Sequence, residues 1–353
     1  MCDNPGAVSR KRPIASATVL GAGSWGTALA IQLARAGLRV RLWARDPAHA
    51  GRMRAEGRNP RYLPKHPFAG QIEPVDEDAL AATGPEPDLV VAAVPTHALR
   101  ATLARLGPQV LGPGAGLLLA CKGVEPDTLE TMAEVALAAT EGLGADRVLV
   151  LGGPSFAAEV AAGLPTAVVV ACRDVERARR VQNAISAGRF RAYVTDDVVG
   201  VELGGAFKNV IALAAGLCDG AGLGQNARAA LITRGLAEIT RLGVHMGAHP
   251  ATLAGLAGVG DLVLTCTGGL SRNRRVGMAL GRGASLEEAL AEVGQVAEGV
   301  RTTTAAYRLA RREGVEMPIC ETMHAILYEG LSVEGAVERL MGRSLRTERD
   351  PQP

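Results

Sequence analysis

The order of apolar and polar positions divides the chain near residue 197. From about residue 17 up to that point, short apolar runs alternate with amphipathic stretches, the pattern of strand–helix units repeated around a parallel sheet. It predicts strands at 17–21, 40–43, 89–94, 116–121, 148–151, 166–171 and 191–194. Several are unbroken Val and Leu runs, as strands covered on both faces require. After residue 198 strand-like runs vanish and helical patterns take over, with helices expected at 198–218, 226–246, 286–293, 298–313 and 318–328. Glycine-rich connectors separate them, GAGLGQN and the longer GLAGVGDLVLTCTGGLSRNR. The expected organisation is a flexible leader at 1–16, an α/β domain at 17–197, an all-helical domain at 198–343 and a frayed, charged tail at 344–353.

One loop gives the first domain a chemistry. Gly21-Ala22-Gly23-Ser24-Trp25-Gly26 follows the strand ATVLG, opens a helix, and begins a βαβ unit whose second strand is RVRLW. That context makes G-x-G-x-x-G a dinucleotide fingerprint. Gly21 permits the tight turn, Gly23 lets backbone approach a pyrophosphate, and Gly26 lets the helix pack closely, so that N-terminal amides face the phosphates. The competing phosphate loop needs a lysine after its last glycine, and Thr27 stands there. The expected fold is therefore a Rossmann-type doubly wound sheet followed by an all-α domain. At the end of the second strand, Ala44-Arg45-Asp46 replaces the usual ribose-binding acid, and Arg45 suits a 2′-phosphate or the adenine face. NADP(H), or use of both dinucleotides, is the favoured reading, with a solvated loop cation the alternative for Arg45.

Bulk composition removes other partners. Lys plus Arg total 38 against 36 Asp plus Glu, so there is no electrostatic footprint for nucleic acid or an anionic membrane. The six cysteines form no C-x-x-C pair and have no histidines at ligand spacing. They read as reduced, buried apolar residues of a cytoplasmic protein, and no metal is expected. The uncharged stretch from 13 to 34 contains glycines, Ser24, Thr27 and Gln32, which argues against a signal peptide or a membrane span.

Only four of the 38 basic residues are lysines, Lys11, Lys65, Lys122 and Lys208, and the last two stand in apolar surroundings. A desolvated lysine, unlike arginine, loses its proton near neutral pH and can serve as a general acid or base. Lys208 lies in the helical stretch VGVELGGAFKNVIALAAG, where its side chain leans back over Gly204 and Gly205; the two glycines are expected to leave room for its stem, with close helix–helix packing the alternative. Lys122 ends the strand LLLACKG, on the carboxyl rim where doubly wound sheets bind ligands. Gly153 and Ser155 of GGPSFAAEV follow the strand VLVL onto the same rim. Asp261, a carboxylate in an apolar run, needs a cation, and Lys208 is the expected partner. Ser271-Arg272-Asn273-Arg274-Arg275 leads into a helix and forms either a cradle for a phosphate monoester or a solvated basic turn.

These segments, GAGSWGTALA, LLLACKGVE, GPSFAAEV, VELGGAFKNVIALAAGLCDGAGLGQNARAALITRGL, LAGVGDLVLTC, SRNR and QVAEGVRT, together resemble the bacterial-type NAD(P)-dependent glycerol-3-phosphate dehydrogenase family. The resemblance implies reversible reduction of dihydroxyacetone phosphate to sn-glycerol 3-phosphate for phospholipid synthesis, and a homodimer. It implies Lys208 as the catalytic acid/base. It implies Ser24, Trp25, Arg45, Lys122, Ala157, Arg272, Val296 and Glu298 beside the cofactor, and Lys122, Gly153, Ser155, Lys208, Asp261, Ser271, Arg272 and Asn273 around the substrate. Two alternatives stay open. A hydroxyacid or phosphogluconate-type dehydrogenase would need a carboxylate site besides the single SRN cradle, and a non-catalytic NADPH sensor would not need Lys208 or Asp261.

Overall fold

In a computed structural model of the chain, residues 13–68, 71–82, 87–294, 297–345 and 347 are described. Eight strands form one sheet: β1 (Ser16–Leu20), β2 (Arg39–Trp43), β5 (Ile72–Val75), β6 (Leu89–Ala92), β7 (Gly116–Leu119), β8 (Val148–Gly152), β9 (Thr166–Ala171) and β10 (Phe190–Thr195). Between β2 and β5 a separate hairpin is formed by β3 (Arg58–Asn59) and β4 (Leu63–Pro67). The spatial order β10-β9-β8-β7-β6-β1-β2-β5 reverses at β1, so the carboxyl end of β1 is the topological switch point, where doubly wound sheets take their ligand. The helices of this region are α1 (Ser24–Arg35), α2 (Pro47–Glu56), α3 (Glu77–Ala82), α4 (Leu99–Val110), α5 (Met132–Ala139), α6 (Ala157–Ala162) and α7 (Val175–Ile185). Two apolar clusters, one containing Val19, Leu42 and Val91 and the other Leu20, Val90 and Leu117, cover the opposite faces of the sheet.

The sheet is not wholly parallel, which corrects the expectation. β9 pairs antiparallel with β8, and β10 then runs parallel to β9. The chain therefore returns downward at the β10 edge, and α8 (Val198–Gly220) climbs back toward the carboxyl rim. Val201 lies against Gly152 at the end of β8, and Gly205 lies against Lys122 just beyond β7. β3, β4 and β5 carry no apolar alternation; β5 is an edge strand containing Pro74, a residue that edges tolerate and sheet centres do not.

The remaining helices are α9 (Gly224–His245), α10 (Pro250–Leu253), α11 (Asp261–Thr267), α12 (Arg272–Gly281), α13 (Leu286–Val293), α14 (Glu298–Glu313), α15 (Pro318–Tyr328) and α16 (Val333–Met341). They pack around α8, whose residues 200–218 are all buried. This helix is long and apolar enough to cross a membrane, but 89% of its apolar window is buried within the protein, as in a core helix. Close approach of α12 to α8 depends on missing side chains: a Cβ at Gly216 would overlap the Arg274 carbonyl, and one at Gly277 the Leu213 carbonyl. The segment after β7 crosses between the domains, because Val124 and Leu129 belong to the apolar core around α8.

The expected connector 255–274 also differs. It contains a π-helical turn at Leu256–Gly260 and the helix α11, which places Asp261 at a helix start. Its glycines hid this element. Gly258 allows the turn to close onto the Leu253 backbone, and a seven-residue helix is too short to show a period.

Candidate active site

The glycine turn lies at the switch point. Gly21 has φ +113°, and an added Cβ would stand 2.7 Å from the Ala93 carbonyl oxygen. A Cβ on Gly26 would overlap the Gly21 carbonyl, so this glycine lets the helix start against the turn itself. Gly23 is different, because a Cβ there would meet nothing within 4 Å. It is the N-cap of α1 and offers no side chain to the first-turn amides. An open backbone over a positive helix end fits a pyrophosphate. Ser24 Oγ donates to the Tyr62 carbonyl at 3.4 Å, and Trp25 Nε1 donates to the Ala120 carbonyl at 3.1 Å, tying α1 to the segment that carries Lys122. Arg45 is exposed after β2, while Asp46 caps α2 through the Ala48 N–H. Asp46 is thereby committed to the helix end, and Arg45 makes no ion pair among the described residues.

Two lysines and one carboxylate meet on the same rim. Asp261 is 1% exposed. Its Oδ2 accepts from Lys122 Nζ at 2.7 Å, and its Oδ1 accepts from Lys208 Nζ. Lys122 Nζ also donates to the Gly153 carbonyl at 3.1 Å, and Ser155 Oγ donates to that same oxygen at 3.0 Å. Lys208 Nζ donates to Thr265 Oγ1 at 3.0 Å, and Thr265 in turn donates to the Asp261 carbonyl at 2.6 Å. Burial pushes the Lys208 ammonium down to about 8; Asp261 opposes that fall and Lys122 deepens it. Burial alone would raise the Asp261 carboxyl, but the two ammonium groups hold it below its ordinary value. The cluster is a carboxylate between two cations with a net positive charge, poised to receive an anion or an oxygen on which charge develops.

Gly204 and Gly205 serve a different end from the expected room for the Lys208 stem. A Cβ on Gly204 would stand 2.7 Å from the Ala257 carbonyl oxygen, and one on Gly205 would meet the Lys122 methylenes at 3.5 Å. The first admits the backbone that leads to Asp261; at the second, Lys122 lies at ordinary van der Waals distance.

The basic cradle is narrower than its five residues suggest. Arg274 is committed to Asp219 of α8, through Nε at 3.0 Å and Nη2 at 2.6 Å. The buried Ser271 hydroxyl caps α12 by accepting from the Arg274 N–H at 3.2 Å. Asn273 is also buried; it donates to Asn209 Oδ1 at 2.9 Å and accepts from the Gly299 N–H at 2.9 Å. Arg272 remains exposed at the first position of α12, in the field of Glu298, and makes no ion pair among the described residues. Ala157 opens α6 and Glu298 opens α14; Val296 lies outside the described residues.

Sequence reasoning missed two residues, Thr265 inside the cluster and Asn209 in the cradle beside it. Thr265 follows Asp261 by one helical turn, a signal that becomes readable once α11 is known to be helical. Asn209, next to Lys208, links α8 to Asn273; an amide inside an apolar helix was its only mark. Among the described residues no group of His, Cys, Asp and Glu side chains could hold a metal ion.

Comparison with known proteins agrees along the chain. The family models for the N-terminus and the C-terminus of NAD-dependent glycerol-3-phosphate dehydrogenase match residues 16–178 and 197–338. A glycerol-3-phosphate dehydrogenase (NAD(P)+) of Geobacter metallireducens is 54% identical over 331 residues, covering 94% of this chain and 98% of its own. The enzyme of the same name from Moorella thermoacetica is 52% identical over 328 residues, covering 93% and 96%. Among solved structures, glycerol-3-phosphate dehydrogenase from Coxiella burnetii superposes with a TM-score of 0.87 at 41% identity, covering 94% of this chain and 99% of that one.

Proposed function

The chain belongs to the NAD-dependent glycerol-3-phosphate dehydrogenase family, and from that premise we propose how its residues interconvert dihydroxyacetone phosphate and sn-glycerol 3-phosphate with NAD(P)H. The observation that carries the reading is the Lys122–Asp261–Lys208 cluster on the rim that also bears the glycine turn. When bound, the reduced nicotinamide supplies the hydride. Lys208 holds the proton for the ketone oxygen, and with its pKa drawn toward neutrality it serves as acid in reduction and as base in oxidation. Asp261 and Thr265 fix the direction of that ammonium, and Lys122 adds a second positive charge where alkoxide character develops.

The amides of Gly23, Ser24, Trp25 and Gly26 receive the pyrophosphate, and Arg45 receives the 2′-phosphate of NADPH. Lys122, Ala157, Arg272 and Glu298 lie toward the nicotinamide. Arg272 and the first-turn amides of α12 anchor the substrate phosphate, with Ser271 and Asn273 holding that helix end in place. Gly153 and Ser155 complete the wall beside Lys122. A remote anchor of this kind fixes the reacting carbon and supplies rate through orientation.

The test follows oxidation of NADH and of NADPH by the purified protein with dihydroxyacetone phosphate or with unphosphorylated dihydroxyacetone. Oxidation that depends on the phosphate is expected, and equal turnover of the two ketones would overturn the anchoring role of Arg272.

We also propose a homodimer in the cytoplasm that supplies glycerol 3-phosphate for phospholipid synthesis. The homodimer rests on the resemblance to the family. The free, buried thiols of Cys121, Cys172, Cys218, Cys266 and Cys320 suit a reducing compartment. Light scattering should return twice the chain mass, and a monomer would overturn the assembly.

A further inference from the structure

We propose that Asn59 is a positioning residue of the cofactor site, whose side-chain amide holds the glycine turn so that the Gly23 N–H faces the dinucleotide; this rests on the reading of that turn as the pyrophosphate site. Asn59 lies in β3 and has no exposed surface. Its Nδ2 donates to the Ala22 carbonyl at 2.9 Å and to Thr27 Oγ1 at 2.8 Å, and its Oδ1 accepts from the Tyr62 N–H at 3.1 Å. Both donors and the acceptor of one amide are thus committed, two of them to groups that flank the fingerprint glycines.

The Ala22 bond sets a direction. In a planar trans peptide the carbonyl and the following N–H point opposite ways. Holding the Ala22 oxygen against Asn59 therefore turns the Gly23 N–H away from the β3–β4 hairpin. That N–H has no acceptor among the described residues, and the space beside Gly23 is open. Thr27, also fully buried, receives the second donor and fixes the first turn of α1 to the same amide. The Ser24 hydroxyl donates to the Tyr62 carbonyl, a further tie between the turn and the hairpin.

The residue type follows from this geometry. An aspartate lacks the two donors, and an apolar side chain of the same size would leave a buried carbonyl without a partner. A packing residue alone would need neither the amide nor its orientation.

The experiment measures the NADPH dissociation constant by direct titration, together with KM and kcat, for the wild type, Asn59→Leu, Asn59→Ser and Thr27→Val. Asn59→Leu is expected to weaken NADPH at least about tenfold, with the KM for dihydroxyacetone phosphate and the kcat at saturating cofactor unchanged. Asn59→Ser, which keeps a small polar group, carries the same expectation in a smaller degree and serves if the leucine variant does not fold. Thr27→Val removes one of the two Asn59 bonds but leaves the Ala22 bond in place, and should weaken NADPH less than Asn59→Leu does; a larger loss than in Asn59→Leu would overturn the primacy of the Ala22 bond. Wild-type affinity in both Asn59 variants, or a parallel rise in KM for both substrates, would overturn the positioning role. A wild-type protein that fails to bind NADPH would instead overturn the cofactor reading beneath it.

Discussion

At Gly21–Gly26 the protein presents backbone, and at Asp261 it presents side chains. The turn lies within six consecutive residues, and its chemistry depends on what is missing: no Cβ at Gly23 and no capping side chain for α1. The Asp261 cluster is assembled from the segment after β7, from α8 and from α11, and its chemistry depends on charges that burial disfavours. The turn's own residues are consecutive in the sequence, and Asn59 of β3 and the Ala93 backbone brace it from within the same domain. The cluster exists only when both domains are folded and packed, so its charge balance is a property of tertiary structure. Binding of dinucleotide and transfer of the proton should therefore fail separately.

The largest expected separation comes from Lys208→Ala. Loss of a general acid should lower kcat by about 10²–10⁴-fold, while NADPH affinity measured by titration stays as in the wild type. Unchanged turnover would remove Lys208 from the chemistry. Asp261→Asn should act next most strongly, because it leaves the buried Lys208 ammonium and the half-buried Lys122 without their counter-ion, at a cost of about 3–5 kcal/mol in stability. Its pH profile carries a sign. With Lys208 drawn to about 8, reduction should decline as pH rises through that value, and oxidation of glycerol 3-phosphate should increase. Asp261 raises the Lys208 pKa, so the asparagine variant should show both limbs at lower pH. An unmoved limb would assign the titration to another group.

The backbone site breaks in two distinguishable ways. Gly26→Ala drives a Cβ into the Gly21 carbonyl, and overpacking against backbone should cost about 1–3 kcal/mol, visible in both Tm and NADPH affinity. Gly23→Ala meets no protein atom within 4 Å. It should leave Tm unchanged yet weaken NADPH about tenfold, because its methyl group occupies the open side of the turn. Equal losses of Tm in the two variants would mean that Gly23 is a folding residue.

The same contrast explains what the sequence disclosed. The turn was legible because glycines, strand and helix all lie within one short segment. Lys208 and Lys122 stood out as lysines in a chain that otherwise writes its cations as arginine, and Asp261 as a carboxylate too costly to bury alone. The helix carrying Asp261 and Thr265 was not legible, since its glycine-rich approach reads as a connector until Gly258 is seen packed on Leu253. The approach of Gly204 to the Ala257 backbone involves residues far apart in the chain, and no local pattern announces it. The reversal of β9 escaped for a related reason: its Val-rich run is the same whichever way the strand points, and only its register with β8 sets the direction. Arg274 looked equivalent to Arg272 until Asp219 claimed it.

A second buried carboxylate gives the finest test of why Asp261 needs its lysines. Glu238 of α9 is 4% exposed and caps α15, accepting from the Ile319 N–H at 2.7 Å and the Cys320 N–H at 3.3 Å. It makes no ion pair among the described residues, and burial pushes its carboxyl up to about 7, opposed by those two amides and more weakly by the field of Arg241. The folded-state pKa thus lies above the unfolded value of about 4.3. Between the two values the folded protein binds the extra proton, so stability from this group is present at low pH and falls as pH rises toward and through 7. Glu238→Gln keeps an acceptor for Ile319 and removes the charge. Its Tm relative to wild type should therefore become more favourable between pH 5 and pH 8, by an amount on the order of a few degrees. Asp261, whose pKa is lowered by its two lysines, should show the opposite slope: stability from its carboxylate is present above the unfolded pKa and lost as pH falls below it. Parallel slopes for the two asparagine and glutamine variants would mean that burial alone governs both sites and that the lysines do not hold Asp261 ionised.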